Sequence, residues 1–178
     1  DLRHHYFTTY GTTLRGLQKH YHVDADEYLA YVHDLPLADF LQPAPELRSL
    51  VLSLPQPRWI FTNADDQHAR RVLAQLSLSD CFAGIIDVRA IRFACKPEID
   101  AYQRALHIAG DPQPEQCVLL DDSPANLAPA RQMGLTTVLV RPDAPQDTAS
   151  EPAASFTIPS LLDLRRVLNA LFENGHVR

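Results

Sequence analysis

Short apolar runs and helical stretches alternate along this chain from residue 46 to residue 140, and that alternation restricts its architecture more than any other feature. Helical periodicity is expected over Glu46 to Leu54, Asp66 to Leu76 with Asp65 or Asp66 as cap, Glu98 to Ala109, and Pro124 to Met133 closed by Gly134. Between them stand Arg58 to Phe61, Ile85-Ile86-Asp87-Val88, Val118 to Leu120 and Thr136 to Val140, each the length of one buried strand or strand end. Strands separated by helices join a common sheet in parallel, which predicts an α/β core with helices on both faces. Ligands of such sheets bind beyond the carboxyl ends of the strands.

The chain before this core reads differently. From Leu2 to about Phe40 aromatic and aliphatic residues recur at helical spacings with no β-branched run, and Gly11 and Gly16 are expected to break the stretch into short helices. Pro43 and Pro45 favour extended backbone before them and a helix start after them, so residues 1–43 are expected to form a helical cap and residues 44–178 the core, with a hinge near Pro43. Beyond the alternating region, Arg141 to Pro152 reads as a surface loop and Phe156-Thr157-Ile158 as a further short strand. Ser160 is expected to cap a last helix whose apolar stripe is Leu161, Leu164, Val167, Leu168 and Leu171.

Composition removes several classes of function. A net charge of −6 with no basic stripe argues against binding a nucleic-acid polymer, yet one lysine and a cation can still attract a small phosphorylated metabolite. Cys81, Cys95 and Cys117 are an odd number without metal-binding or redox spacing, which predicts reduced thiols and a cytoplasmic location. No apolar run reaches membrane-spanning length, and the opening residues do not read as a signal peptide.

Asp121-Asp122, where the run Cys117 to Leu120 ends, carries the chemistry. Adjacent carboxylates repel unless a cation, a proton or hydrogen bonds offset them, and a magnesium-type site is one solution. A strand-to-turn junction with one Asp as a cap is the other. Thr62-Asn63 follows the run Trp59 to Phe61, and Lys96 precedes Pro97 at a helix start. Alone, Thr62 could simply end a strand and Lys96 could be a solvated cation. Together, a hydroxyl, an ammonium and two carboxylates at the ends of parallel strands read as a phosphate site.

At these residues the sequence resembles the haloacid dehalogenase-like (HAD) hydrolase superfamily. Its second motif matches Thr62-Asn63, its third Lys96 before Pro97, and its fourth Asp121-Asp122-Ser123 with Asn126 following, in family order. Residues 10–17, then His22-Val23-Asp24 and Tyr28, look like the cap of pyrimidine 5′-nucleotidases. The resemblance implies a Rossmann-like parallel core under a helical cap, and hydrolysis of a phosphomonoester, a pyrimidine nucleoside 5′-monophosphate, with Mg²⁺ as cofactor. Thr62, the amides around Asn63 and Ala64, and Lys96 would then hold the phosphate. Asp121 and Asp122 would hold the metal, with Ser123 and Asn126 behind them, and Arg15, His20 and His22 would meet the substrate.

The family's first motif, an Asp-x-Asp pair after an opening strand that supplies the nucleophile and the acid, has no match. Asp24-Ala25-Asp26 has its spacing, but Lys19 to His22 before it is no buried strand, and Asp24 with Glu27 reads as a capping box. The chain is therefore expected to be trimmed before its nucleophile and, alone, inactive. A non-catalytic HAD-like binding protein and a phosphatase for sugar phosphates or other small phosphates are the alternatives. Receiver domains use similar residues with the acids first, which disfavours them here, and dehalogenases work without a metal whereas the Asp121-Asp122 pair makes sense chiefly with one, which favours phosphate chemistry.

Overall fold

The computed structural model describes residues 1–143 and 152–167. They form two compact units, Asp1–Glu98 and Ile99–Arg178. The helices of residues 1–43 fall in the first unit together with two strands of the sheet core.

The first unit opens with α1 (Leu2–Tyr10), α2 (Thr13–Tyr21) and α3 (Ala25–His33), each begun by a side chain that accepts from the first turn. Asp1 accepts from Arg3 N–H, Thr12 from Arg15 N–H, and Asp24 from both Asp26 and Glu27 N–H at 2.8 and 2.9 Å. Asp24 is thus a helix cap, as its spacing to Glu27 predicts. Gly11 closes α1 in the left-handed region at φ 81°. Gly16, expected to interrupt a helix, lies inside α2, where a Cβ would stand 2.3 Å from Tyr6 Cγ. Its missing side chain lets α2 pack closely on α1.

After a 3₁₀ turn at Leu37–Asp39 come α4 (Pro45–Leu52), β1 (Trp59–Phe61), α5 (Asp66–Gln75) and β2 (Gly84–Ile86). β1 and β2 pair in parallel, with Trp59 opposite Gly84 and Phe61 opposite Ile86. Leu73, Leu78 and Cys81 are buried beneath Leu47, Val51, Ile60 and Ile85. Each such leucine taken from water contributes roughly 1.5–3 kcal/mol. A second cluster joins Leu14 and Leu29 of the helical segment to Val88 and Cys95.

The expected strand Ile85 to Val88 ends at Ile86, because Asp87 turns its carboxylate back onto the chain. Its Oδ2 accepts from Asp66 N–H at 3.0 Å and its Oδ1 from Ala90 N–H at 2.8 Å. Those bonds satisfy a buried carboxylate and fix the start of α5 relative to the end of β2.

The second unit contains α6 (Ile99–Ile108), a 3₁₀ turn at Pro114–Gln116, β3 (Val118–Asp121), α7 (Pro124–Gln132), β4 (Thr136–Val140) and β5 (Phe156–Ile158). β4 lies between β3 and β5, and both pairings are parallel. Leu127, Leu139 and Ala154 form its buried cluster. Parallel strands with crossover helices are the expected α/β architecture, realised as a two-stranded and a three-stranded sheet. Among the described residues β1 and β3 each pair with one strand only.

Ser160 caps a 3₁₀ turn at Leu161–Asp163 by accepting from Leu162 N–H, and the chain is helical from Leu164 to Val167. Leu168 and Leu171 of the expected stripe, and most of the expected loop from Arg141 to Pro152, lie outside the described residues. Cys81 and Cys95 are buried and Cys117 half-buried, all as free thiols. No described helix is long and apolar enough to cross a membrane.

Candidate functional site

Thr62 leaves β1 with its N–H bonded to Ile86 O at 3.0 Å, so the strand pairing extends to the residue that carries the hydroxyl. Its Oγ1 accepts from Ala64 N–H at 3.0 Å, which curls the chain directly after the strand. That bond engages the Ala64 amide, one of the groups expected to serve phosphate. Asn63 points elsewhere. Its side-chain amide forms two bonds with the main chain of Lys96, donating from Nδ2 to Lys96 O at 3.0 Å and accepting at Oδ1 from Lys96 N–H at 2.9 Å.

Lys96 is only 9% exposed. Its ammonium donates to Phe61 O, the last carbonyl of β1, at 3.1 Å and stands 5.0 Å from the centre of the Phe61 ring. Burial of a lysine is uncommon because the ammonium loses its hydration, and here a carbonyl and an aromatic face replace part of it. Gly11 seals the other side: a Cβ there would come within 3.2 Å of Lys96 O. The first unit therefore holds Thr62, Asn63 and Lys96 together, a hydroxyl and a buried cation at the carboxyl end of a parallel strand.

In the second unit, β3 ends at Asp121, whose Oδ1 accepts from Ser123 N–H and from Asn126 Nδ2, both at 2.9 Å. Ser123 contributes its amide to this turn, and Pro124 begins α7. Asp122 is exposed. Tyr102, buried on α6, donates to Asn126 O at 2.5 Å, and burial together with the Asp121 charge pushes its phenol pKa well above the ordinary value. Tyr102 thus braces the acid turn from behind. Nothing in a lone tyrosine of a helix pattern signals that role. Hard carboxylate oxygens are the donors Mg²⁺ takes, usually one or two carboxylates with water, so Asp121 and Asp122 fit that ion. No cluster of three or more His, Cys, Asp or Glu suited to a metal occurs among the described residues.

Of the three expected substrate residues of the helical segment, Arg15 is half-buried and His20 and His22 are exposed. Arg15 Nη1 is 2.6 Å from Glu98 Oε1, His20 bonds Tyr10 OH at 2.9 Å while stacking on Tyr6, and His22 closes α2 at φ 52°. None of them borders the cavity of about 730 Å³ found in the first unit. That cavity has Phe7, Tyr28 and Phe93 among its aromatic walls and Thr12, Asn63 and His33 among its polar ones.

His33 was not singled out by sequence, because its partners lie 32 residues and more away. Its Nδ1 is 2.8 Å from Asp65 Oδ2, and its ring stacks on His68 with centroids 4.1 Å apart. Asp65 also caps α5 through His68 N–H at 2.7 Å. Burial raises the Asp65 carboxyl, but the His68 amide, the His33 bond and the two imidazoles together hold it below its ordinary pKa. His68 is pushed down, by burial first and then by His33 and Arg71, against Asp65. His107 is an exposed partner of Asp111.

Residues 5–134 match the model of the haloacid dehalogenase-like hydrolases. The chain belongs to that family. Phosphate metabolism protein 8 of Saccharomyces cerevisiae is 30% identical over 148 residues, 75% of this chain and 46% of the yeast protein. The chain thus spans less than half the length of that curated relative. The L-2-haloacid dehalogenase of Xanthobacter autotrophicus with chloropropionic acid covalently bound is 21% identical, at a TM-score of 0.59 over 72% of this chain and 60% of that one. The HAD phosphatase of Thermococcus onnurineus is 23% identical, at a TM-score of 0.57 over 70% and 55%. At these identities the two solved structures establish the HAD fold, which carries both chemistries, and leave the reaction to the site residues.

Proposed function

We propose that this HAD hydrolase is a Mg²⁺-dependent phosphomonoesterase acting on a small phosphorylated metabolite, a pyrimidine nucleoside 5′-monophosphate, and that its nucleophile lies on a strand outside the sequence given. The carrying observation is the Lys96 ammonium, bonded to the last carbonyl of β1 and held through its main chain by Asn63. A cation so fixed beside a hydroxyl suits an anion whose charge is spread over several oxygens. Thr62 Oγ1 already accepts from Ala64 N–H, so its own proton is the group to offer a phosphoryl oxygen, with the Asn63 amide for a second. Asp121 and Asp122 would hold Mg²⁺, which when bound neutralises phosphoryl charge.

In this reading an aspartate of the first motif attacks phosphorus, the companion acid protonates the leaving alkoxide, and water then hydrolyses the aspartyl-phosphate. Asp24 is unsuited to the task, since its Oδ1 caps α3. That β1 and β3 each pair with one strand only among the described residues supports a further strand beside them. The name of the yeast relative, a phosphate metabolism protein, agrees with phosphate chemistry. The paired acids favour phosphate esters over organic halides, because Asp122, exposed beside the hydrogen-bonded Asp121, offers hard carboxylate oxygens to Mg²⁺.

The test uses a longer form carrying the upstream motif. Lys96→Ala and Asp122→Asn should each lower turnover by on the order of 100-fold or more while circular dichroism stays native. Near-native rates in both would refute the site. The 178-residue chain itself should not hydrolyse para-nitrophenyl phosphate with Mg²⁺; turnover by it would return Asp24 and Asp26 to consideration. Metal-free release of chloride from 2-chloropropionate, with no phosphate ester turned over, would favour a dehalogenase.

A further inference from the structure

The cavity of the first unit reaches Asn63, next to the proposed phosphate hydroxyl of Thr62, and Thr12 on its wall has its hydroxyl 3.9 Å from the Sγ of Cys95, the residue before Lys96. At about 730 Å³ it is within the usual size range of small-ligand pockets, roughly 300–1,000 Å³. Its aromatic walls suit a flat ring. Among its polar residues His33 is bonded to a buried carboxylate, that of Asp65.

That partner also fixes its proton. Asp65 is held in its carboxylate form, and a carboxylate only accepts, so His33 Nδ1 must donate to Asp65 Oδ2. With Nδ1 engaged by Asp65, Nε2 is the ring's second polar atom, a lone-pair acceptor while the ring carries a single proton. Stacking on His68 at 4.1 Å fixes the ring plane, and His68 Nδ1 is buried with no hydrogen-bond partner, so that second ring acts as a neutral plate. The His33 and Asp65 side chains are only 18% and 12% exposed, so a largely buried carboxylate stands behind the histidine that lines the cavity. An imidazole oriented by a carboxylate behind it is a means of placing one lone pair toward a ligand.

We propose that His33, positioned by Asp65 and His68, reads the leaving group of the substrate by accepting a hydrogen bond at Nε2 from an N–H of a planar ring seated between Phe7, Tyr28 and Phe93. The ligand class is a nucleoside whose base carries an N–H donor, and the inference rests on the phosphatase reading above. It moves recognition from Arg15, His20 and His22, none of which lines the cavity, to a residue on its wall. Asp65 is a positioning residue, since it acts on the ligand only through His33.

The tautomer and the contact can be read separately by ¹⁵N NMR of the histidine rings in the 178-residue chain. In the free protein His33 should show a protonated Nδ1 and an unprotonated Nε2. Uridine 5′-monophosphate should shift the His33 Nε2 resonance and the backbone amides of Thr62 and Lys96. Inorganic phosphate should shift those amides alone. Asp65→Asn, which keeps a capping oxygen for α5 but places an amide donor against Nδ1, should move the proton to Nε2 and weaken uridine 5′-monophosphate binding at least tenfold. Phosphate binding should be unchanged in that variant.

A free protein with its proton on Nε2 would overturn the proposal. So would uridine 5′-monophosphate that moves Thr62 and Lys96 but leaves His33 in place, with the phosphatase reading still standing. Ribose 5-phosphate moving Nε2 as far as the nucleotide would overturn base recognition. If uridine 5′-monophosphate and phosphate both left Thr62 and Lys96 unmoved, the phosphate site would fall, and this inference with it.

Discussion

Replacing Asn63 by alanine should loosen the Lys96 segment without touching the lysine itself. The substitution removes two side-chain bonds to the Lys96 main chain, of 3.0 and 2.9 Å, in a part of the structure where Lys96 is 9% exposed. At about 0.5–1.5 kcal/mol net for each bond, the expected loss of stability is about 2 kcal/mol. For a chain of this length that lowers the melting temperature by about 4–8 °C. The only tryptophan, Trp59, lies in β1 four residues before Asn63, so urea titration followed by its fluorescence reports on the right element. Asn63→Asp gives a sharper test. It keeps the acceptor for Lys96 N–H but sets a carboxylate oxygen against Lys96 O, so at neutral pH it should be at least as damaging as alanine. In acid, protonation restores a donor on that side, and the aspartate variant should regain stability relative to the alanine variant. A loss below about 0.5 kcal/mol in Asn63→Ala, or an aspartate variant as stable as the parent at neutral pH, would refute the clamp.

Gly16→Ala should destabilise by about 1–3 kcal/mol in the same titration, because its Cβ would meet Tyr6 Cγ at 2.3 Å and drive α2 off α1. Tyr102→Phe should cost about 1 kcal/mol by removing the bond to Asn126 O, and should slow turnover of the longer enzyme at low Mg²⁺ more than at saturating Mg²⁺. An equal effect at both concentrations would make Tyr102 a packing residue only. Stability should also fall as pH drops below the ordinary histidine range. Burial holds folded His68 below its usual pKa, with His33 and Arg71 acting the same way and Asp65 against them, so between the folded pKa and about 6.5 the unfolded chain binds the extra proton. Asp65, depressed on balance, adds its own loss only at lower pH, as its carboxylate protonates. His68→Phe, which keeps a ring on His33, should flatten the melting temperature between pH 7 and 5.5; an unchanged slope would remove His68 as its source.

Where local chemistry decides an element, the sequence was a sound guide. Asp24 and Asp65 cap the helices expected of them, and Ser160 caps a 3₁₀ turn where a helix start was expected, because a short acceptor before a helical run satisfies amides in its own first turn. The strands Val118–Asp121 and Thr136–Val140 follow from their apolar runs. Gly16 and Asp87 misled for one reason. Each is set by a neighbour that periodicity does not encode, the Tyr6 ring for the glycine and the Asp66 and Ala90 amides for the aspartate.

The same distinction runs through the site. The positions of Thr62 and Asp121, each at the carboxyl end of a parallel strand, were legible because topology sets them, and the alternation of elements already carries topology. His33 was not, since only tertiary packing brings α3 against the start of α5. Asn63 falls between the two. As the neighbour of Thr62 it reads as a second phosphate ligand, yet its side chain turns from the strand end to hold Lys96. Under the proposed function the two residues of that motif divide the work: the hydroxyl of the first is offered to an anion, and the side-chain amide of the second fixes the main chain of the lysine. On this reading position 63 calls for a side chain that both donates and accepts in one plane. Glutamine has the chemistry but is one methylene too long for the same two distances, so Asn63→Gln should lose the clamp although it conserves every polar group.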